Sequence, residues 1–485
     1  MNISIMWKGA NRILAALTAA GYEAFIIGGA VRDIVMKREP HDFDIVTSAR
    51  PDTVVQVMER NGYKTTGLVG KSFGVVVVIT PEGHYEVATY RREQYGKDSH
   101  RPTSVAYADS LEEDVKRRDF TVNGMAMNET GHIIDLVGGV HAISHKRLET
   151  IGDPHRRFQE DALRLFRACR FAARLDFSPS ESLVNAMPSA FSRVEGLSLE
   201  RVKAEIETLL LEPFAEKGLD LLVQSRLGNC ACKVVRHGQI EMVHILPELY
   251  HLVNLPQEKR YHEFDGWHHT LAVVHATQPD LILRWAALLH DVGKGLPEVR
   301  GIRNGKITDW GHDEAGAVLA QQILLRFGYD KKFVSRVVWL VQNHMRFHYF
   351  VSHPEANAEK WMRKEANSGS FRYSRELQEA CEQQSKVCVA DIIGTGKSEQ
   401  MVDDTVTFGK KLARIAKSIP IHTRDLQYDR ELLTVMGDRV GELLPHVLHQ
   451  VQSKQVKNTP EALMHAVKRK LMRDTIKQEE IENGE

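Results

Sequence analysis

The chain reads as a small α/β head followed by a long, mainly helical body, and three observations predict this. Residues 24–80 alternate short β-branched runs with helical stretches, and a glycine pair joins the first strand to the first helix. Beyond about residue 155 almost every stretch carries apolar residues at helical spacing, beginning with Asp161-Ala162-Leu163-Arg164-Leu165-Phe166. At 485 residues the chain exceeds one domain of ~100–200 residues, so three or four units are expected.

The elements follow in order. Ile13-Leu14-Ala15-Ala16-Leu17 with Gly21 after it predicts an amphipathic helix stopped by glycine. That run is too short for a membrane span and lacks a signal-peptide cleavage pattern. Ala24–Ile27 is a short strand, and Gly28-Gly29 turns it into a helix through Ala30-Val31-Arg32-Asp33. Phe43-Asp44-Ile45-Val46 and Val75–Ile79 are further strands. Glycines and prolines near Gly138-Gly139, Gly228, Leu255-Pro256 and Gly394-Thr395-Gly396 suggest units at 1–145, 146–245, 246–400 and 401–485. Residues 453–485 hold seven Lys/Arg against six Asp/Glu, a mixed helix and not a basic tail.

Composition is that of a globular protein, 42% hydrophobic and 26% charged. Lys plus Arg equals Asp plus Glu at 64 each, so no global positive field exists and any RNA contact must come from local patches. Five scattered cysteines, an odd number, suit a reducing compartment, and a cytoplasmic location is expected. Cys230-Ala-Cys232 has the wrong spacing for a zinc knuckle.

The chemistry begins at His41-Asp42-Phe43-Asp44. On a strand, Asp42 and Asp44 point to one face with Cα atoms ~7 Å apart. Two such carboxylates repel unless a cation sits between them, and hard oxygen ligands suit Mg²⁺. Glu86, after the next apolar strand, is the expected third carboxylate. The Gly28-Gly29 turn lets backbone N–H groups approach a triphosphate, and Arg32 in the next turn reaches the same phosphates. An Asp-x-Asp alone could merely decorate a strand edge; a glycine turn about a dozen residues before it weighs against that.

Gly28-Gly29-Ala30-Val31-Arg32-Asp33 followed by Asp42-Phe43-Asp44 resembles the head of the class II tRNA nucleotidyltransferase and bacterial poly(A) polymerase family. The similarity continues in Arg117-Arg118-Asp119-Phe120-Thr121-Val122-Asn123 and in Arg157–Arg164, and spans roughly residues 20–210. It implies a fold of α/β nucleotidyltransferase head followed by a mainly α-helical neck, HD domain and tail. It also implies that Arg118 binds nucleotide. Asp119 would orient its neighbours, with a purely structural role equally open. The charged stretch Arg91–Pro102 matches a flexible loop that in relatives helps switch from adding C to adding A; a solvated loop would look the same.

On a helix, Asp161 and Arg164 are i, i+3 neighbours, which in the plainest case make a surface ion pair. The functional reading uses base chemistry. Cytosine and adenine both present a donating amine beside an accepting ring nitrogen; a carboxylate accepts from the one and a guanidinium donates to the other. Uracil and guanine carry the opposite pattern. In the resembled family this Asp and Arg act as a protein template, which carries over to Asp161 and Arg164. Arg167 and Arg170 continue the helical spacing and are assigned to nucleotide or phosphate contacts.

His290-Asp291 ends an apolar helix, with His269 upstream and Asp391 downstream, a pattern that matches an imidazole–carboxylate metal cage. Residues 250–400 resemble the HD phosphohydrolase superfamily, which implies metal ligands at His269, His290, Asp291 and Asp391 and a phosphate-steadying Lys294. His312 and His344 would serve a second metal or bind the leaving phosphate. The ion would be a divalent transition metal or Mg²⁺, and the module is either an active hydrolase or a relic scaffold.

The expected activity is addition of CCA to the tRNA 3′ end from CTP and ATP, with tRNA as partner and no membrane. The sequence leaves open an enzyme adding only CC or only A, and the oligomeric state. Poly(A) polymerases of the family usually show two basic residues after the glycine of the third helix–strand turn, and a strongly basic tail. Gly70-Lys71-Ser72-Phe73 has one, and the tail is nearly neutral. A hydrolase whose head merely binds nucleotide would be expected to have degraded carboxylates, and these are intact.

Overall fold

Alternating burial along short strands sets the architecture of the head. In this computed structural model, which describes residues 3–66, 74–95, 102–259, 263–396 and 399–482, α1 (Ile3–Ala19) ends before Gly21 at φ +86°. There follow β1 (Ala24–Ile27), α2 (Gly29–Val35), β2 (Asp44–Thr47), α3 (Pro51–Arg60), β3 (Lys64–Thr66), β4 (Val75–Thr80) and β5 (Gly83–Thr89). β6 (Arg91–Tyr95) and β7 (Pro102–Tyr107) form a separate ribbon; the rest of the stretch expected to be a switching loop, and Gly70–Phe73, lie outside the described residues. α4 (Leu111–Lys116), β8 (Met125–Met127), β9 (Ile133–Asp135) and α5 (Gly139–Ser144) complete the head, so the Gly138-Gly139 pair opens a helix within it.

The seven-stranded sheet runs β3-β4-β5-β2-β1-β8-β9. Ile26, Ile45, Val76, Val78 and Val87 face one way into a core with Ile13, Leu14 and Leu17 of α1 and Val54 and Met58 of α3. One step along, Ile27 and Val46 face the other way, into a core with Tyr90, Leu111 and Val115.

Register decides what this sheet presents. β1 pairs antiparallel with β2, Ile27 opposite Asp44, so the glycine turn leaving β1 meets the aspartates entering β2 at one edge. β5 runs parallel to β2 with Ile45 opposite Val87, and one further step of that register sets Glu86 beside Asp44. One expectation is corrected: the strand begins at Asp44, and Asp42 precedes it. Phe43 between them is buried against Trp7, ring centroids 6.0 Å apart, so both aspartates stay on the open side.

Beyond the head, β10 (Arg147–Leu148) pairs with β11 (Ser178–Pro179) around α6 (Pro154–Glu160) and α7 (Leu163–Leu175). The expected single helix through Glu160, Asp161 and Arg164 is also corrected. α6 stops at Glu160, and Asp161 is extended at φ −143°, ψ 105°. The Asp161 carboxylate accepts the Leu163 N–H at 2.9 Å, trading helix continuation for a cap on α7. α8 (Glu181–Ala186), α9 (Phe191–Val194), α10 (Leu199–Leu211) and α11 (Ala215–Gln224) follow, with α10 and α11 packed on α7. The hairpin β12 (Ala231–Arg236) and β13 (Gln239–His244) departs from the helical reading of this region.

The chain divides into two compact units, Met1–Tyr250 and His251–Glu485. The second contains α12 (Gly266–Ala276), α13 (Leu281–Leu289), the hairpin β14 (Arg300–Arg303) and β15 (Lys306–Asp309), α14 (His312–Arg326), α15 (Lys331–Ser352), α16 (Ala358–Ala366), α17 (Ser374–Gly394) and α18 (Glu399–Ser418). α17 packs along α18, so Gly394–Gly396 lies between two packed helices of one unit. The last three helices, α19 (Arg430–Met436), α20 (Val440–Gln452) and α21 (Pro460–Glu482), share a small core of Leu432, Leu443, Val447, Leu463 and Val467. Among the described residues no helix is long and apolar enough to cross a membrane.

Candidate active sites

A cleft of about 650 Å³ opens where β1 ends and β2 begins, lined by Gly28, Gly29, Asp42, Asp44, Asp161 and eight arginines. Gly28 sits at φ +79°, ψ −129°, a conformation only glycine adopts readily. A Cβ there would lie 3.6 Å from Arg118 Nη1, and one on Gly29 would lie 3.6 Å from Arg32 Nη2, so two guanidinium groups flank the turn. The Asp44 carboxyl is pushed up to about 6, first by loss of surrounding water, then by Asp42 and Glu86, against the pull of Arg118. Repelling carboxylates at one sheet edge fit a hard divalent cation.

The arginines are held rigidly. Arg32 is buried, its Nε and Nη2 donating to Asp33 Oδ1 at 2.9 and 2.8 Å and its Nη1 to Asn123 Oδ1 at 2.7 Å. Burial lowers its pKa, with Asp33 opposing. Arg118 donates to Asp114 Oδ2 at 3.1–3.2 Å. Arg167 pairs with Asp119 at 2.5 Å, and burial of Asp119, which acts upward, is outweighed by that charge, leaving its pKa lowered. Arg164 donates to Glu160 Oε2 at 2.9 Å, Arg157 O at 3.0 Å and Arg117 O at 2.8 Å. Its ion pair is thus with Glu160, four residues back, while Asp161 faces the same cleft with its pKa raised by burial.

Glu86 and Arg170 stand apart from the cleft lining. Glu86 is exposed on the β5 edge, and Arg170 donates to Glu205 at 2.6 Å and lies 4.6 Å from the Phe171 ring centroid. Phe171 itself lines the cleft with Arg117, Asn123, Arg174 and Arg201, none singled out from the sequence. Arg117 and Asn123 lay within the quoted motif; Phe171 and Arg174 continue the spacing of Arg164 and Arg167.

In the second unit two groups of three ligands occur among the described residues, His269, His290 and Asp391, and Asp291, His312 and His344. Neither contains a cysteine. The four residues expected at one ion therefore divide between two adjacent groups, and His312 and His344 join Asp291. That carboxylate spans both: Oδ2 lies 3.4 Å from His269 and 3.3 Å from His290, Oδ1 3.2 Å from His312 and 3.8 Å from His344. Lys294 Nζ lies 2.7 Å from Asp291 Oδ2 and donates to Gln257 at 2.9 Å.

Tautomers test whether these residues fit a metal. Nδ1 of His290, His312 and His344 meets the carbonyls of Ala287, Asp309 and Val341 at 2.8, 2.7 and 2.6 Å. A carbonyl only accepts, so Nδ1 carries a proton, and in the neutral imidazole that binds metal Nε2 then presents a lone pair. Yet His269 and His290 Nε2 stand 3.2 Å apart, and His312 and His344 Nε2 3.1 Å. Lone pairs facing at that range repel unless a cation lies between them, and Asp291 Oδ2 is buried without a well-aligned hydrogen bond. The set fits divalent metal. Burial acts upward on Asp291, but His290 and Lys294 outweigh it and hold it well below the usual carboxylate range. His348, not foreseen, bonds Asp391 Oδ2 at 2.8 Å and orients that ligand; it lies one turn after His344 on α15, which was the available signal.

Fold and clefts together define a nucleotidyltransferase of the poly(A) polymerase head type joined to a histidine–aspartate module. Family models match as Poly A polymerase head domain over residues 24–149, Probable RNA and SrmB- binding site of polymerase A over 176–229, and HD domain over 267–391. The CCA-adding enzyme of Enterococcus faecalis is 33% identical over 337 residues, covering 67% of this chain and 79% of that one. That of Bacillus pumilus is 44% identical over 215 residues, 44% of this chain and 52% of that one. The crystal structure of the Bacillus stearothermophilus CCA-adding enzyme in complex with CTP superposes at TM-score 0.62 and 26% identity, covering 97% and 98% of the two chains. The chain belongs to the CCA-adding enzyme family, the tRNA nucleotidyltransferases that add CCA to tRNA.

Proposed function

We propose that the head cleft binds CTP and ATP in turn and joins their nucleotides to a tRNA 3′ end, with the residues named above in defined roles. The observation that carries this is the β1–β2 register, which sets the glycine turn, Arg32 and Arg118 against Asp42 and Asp44. The tRNA 3′ hydroxyl oxygen bonds to the α-phosphorus as its proton passes to solvent, the bond from the α-phosphorus to the bridging oxygen breaks, and pyrophosphate leaves. Asp42, Asp44 and the neighbouring Glu86 would hold Mg²⁺, which when bound supplies Lewis acidity to the triphosphate. Gly28 and Gly29 admit the phosphates to the backbone, and Arg32 and Arg118 neutralise them. Asp161 accepts from the exocyclic amine of C or A, and Arg164, its plane fixed by Glu160 and two carbonyls, donates to the ring nitrogen. Arg167 stiffens this wall through Asp119, and Arg170 acts indirectly, through Glu205 and Phe171.

In the second unit, His269, His290 and Asp391 would hold one divalent ion and Asp291, His312 and His344 another, with Lys294 steadying a phosphate. The supported activity is phosphoester hydrolysis, in which a water oxygen bonds to phosphorus and the ester oxygen leaves with a proton. The odd cysteine count supports a cytoplasmic setting. The divisions 1–145, 146–245, 246–400 and 401–485 then serve as head, neck, HD module and tRNA-gripping tail.

The test is a tRNA lacking CCA incubated with labelled CTP and ATP, singly and together. Ordered C, C, A addition, lost in D42A and D44A, is expected. Addition of CC alone or A alone identifies a partial enzyme, and long A tails on any RNA identify a polymerase. Phosphate release from a 2′,3′-cyclic nucleotide, lost in H290A and D291A, tests the second site.

A further inference from the structure

The histidine–aspartate cavity is about 1470 Å³, far more than a phosphate needs, and one wall is the β14–β15 hairpin. The stem of that hairpin is fixed to the metal ligands. Arg300 holds Asp309 at 2.8 and 3.0 Å, Asp309 Oδ1 accepts the Gly295 N–H at 2.9 Å, and the Asp309 carbonyl accepts a hydrogen bond from His312 Nδ1 at 2.7 Å. Trp310 follows at once. Its side chain lines the cavity yet is 77% exposed, whereas Trp267, Trp285, Trp339 and Trp361 are buried. Only Gly311 separates it from His312, so their Cα atoms lie within about 7 Å. The Arg303 guanidinium stands 5.2 Å from its ring centroid, and Arg303 and Lys306 bring positive charge to the same rim.

We propose that Trp310, backed by Arg303, is the base subsite of this cavity: a nucleoside phosphate stacks its base on the indole while its phosphate reaches the histidine–aspartate cluster. An exposed indole offers a flat apolar face that any base can cover, and its tethering to His312 through Asp309 keeps that face at a fixed distance from the reacting phosphorus. The proposal rests on the hydrolase reading above and names its substrate class. The nucleotide is either a free mononucleotide or the 3′ end of an RNA, which share this chemistry.

Two measurements on the full chain test it. In chelator, adenosine 3′-monophosphate should quench tryptophan fluorescence in the native protein, and W310F should lose that quench. With metal restored, the preference in kcat/KM for adenosine 2′,3′-cyclic phosphate over base-free glycerol 1,2-cyclic phosphate should fall roughly 5- to 150-fold in W310A and recover in W310F. An RNA oligonucleotide ending in a 2′,3′-cyclic phosphate forms a third arm; dependence on Trp310 there alone identifies an RNA end as the source. An unchanged preference in W310A for both nucleotide substrates, or a quench that survives in W310F, overturns the proposal. If the native protein hydrolyses none of the esters the hydrolase reading falls, and the quench still decides the stacking. Trp310 is a surface residue, so its replacement leaves the fold intact.

Discussion

At Asp44, loss of water and the charges of Asp42 and Glu86 push the carboxyl up to about 6. A raised carboxyl pKa means the charged form is disfavoured in the folded head, so stability falls as pH rises from the unfolded value near 4 through 6. Two pKa units would be ~3 kcal/mol, which solvent in the open cleft reduces to roughly 1 kcal/mol. D44N should therefore melt higher than the native protein at pH 7.5 in chelator while losing nucleotide transfer; a lower melting point would refute the reading. Mg²⁺ binding at pH 6 should release about half a proton and at pH 8 almost none, as seen by calorimetry in buffers of different ionisation heat. The residue types at this site were legible because Asp-x-Asp and Gly-Gly are short patterns. Their meeting was not, since it depends on Ile27 lying opposite Asp44, a register set by the whole sheet. His348 was missed for a related reason: its partner Asp391 lies 43 residues away on another helix.

The break between α6 and α7 joins architecture to base choice, because the Asp161 carboxylate that would read the base also accepts the Leu163 N–H at the start of α7. Reading 160–164 as one helical face failed here, since a local side-chain bond to Leu163 competes with the helical ladder and wins. Asn caps about as well as Asp, but its amide adds donors where the base amine needs an acceptor. D161N should accordingly melt within about a degree of the native protein, yet discriminate C from U at least roughly tenfold less well in single-nucleotide addition. D161A should lose the cap too, at about 1 kcal/mol. If D161N keeps full discrimination, Asp161 is only a cap. The Asp119–Arg167 pair fastens α7 to the head in the same way. The pKa of Asp119 is depressed, so its contribution is present above the unfolded carboxylate value and lost as pH falls below about 4. D119N should abolish that part of the acid destabilisation and cost about 1–2 kcal/mol at neutral pH, the exposure of Arg167 tempering the penalty. Acid melting curves of the two proteins would separate the cases.

At the scale of the molecule, the order of an α/β head before a helical body was legible from periodicity, and the β12–β13 and β14–β15 hairpins were not. Each is a two-stranded pair outside the main sheet, and apart from Cys232 and Val234 on β12 none of their residues is buried, so burial imposes no long alternation on their sequence. The division into two units, each with its own acidic cluster, makes the two chemistries separable. Four imidazoles whose Nε2 atoms converge in two pairs, 3.2 and 3.1 Å apart, suit a shared cation, so the second unit should gain stability from metal. A divalent transition ion at 100 times its dissociation constant should add about 2.7 kcal/mol to that unit. Calorimetry should then show a metal-dependent rise in one transition only. H290A and H344A should remove that rise, while their transfer of CMP to truncated tRNA continues because every residue of the head cleft is intact. Metal analysis should find two ions in the native second unit and fewer in H312A. A metal shift that persists in H290A with H344A would break the link between the paired triads and the ion. Loss of CMP transfer in the same protein would show instead that the two units work as one.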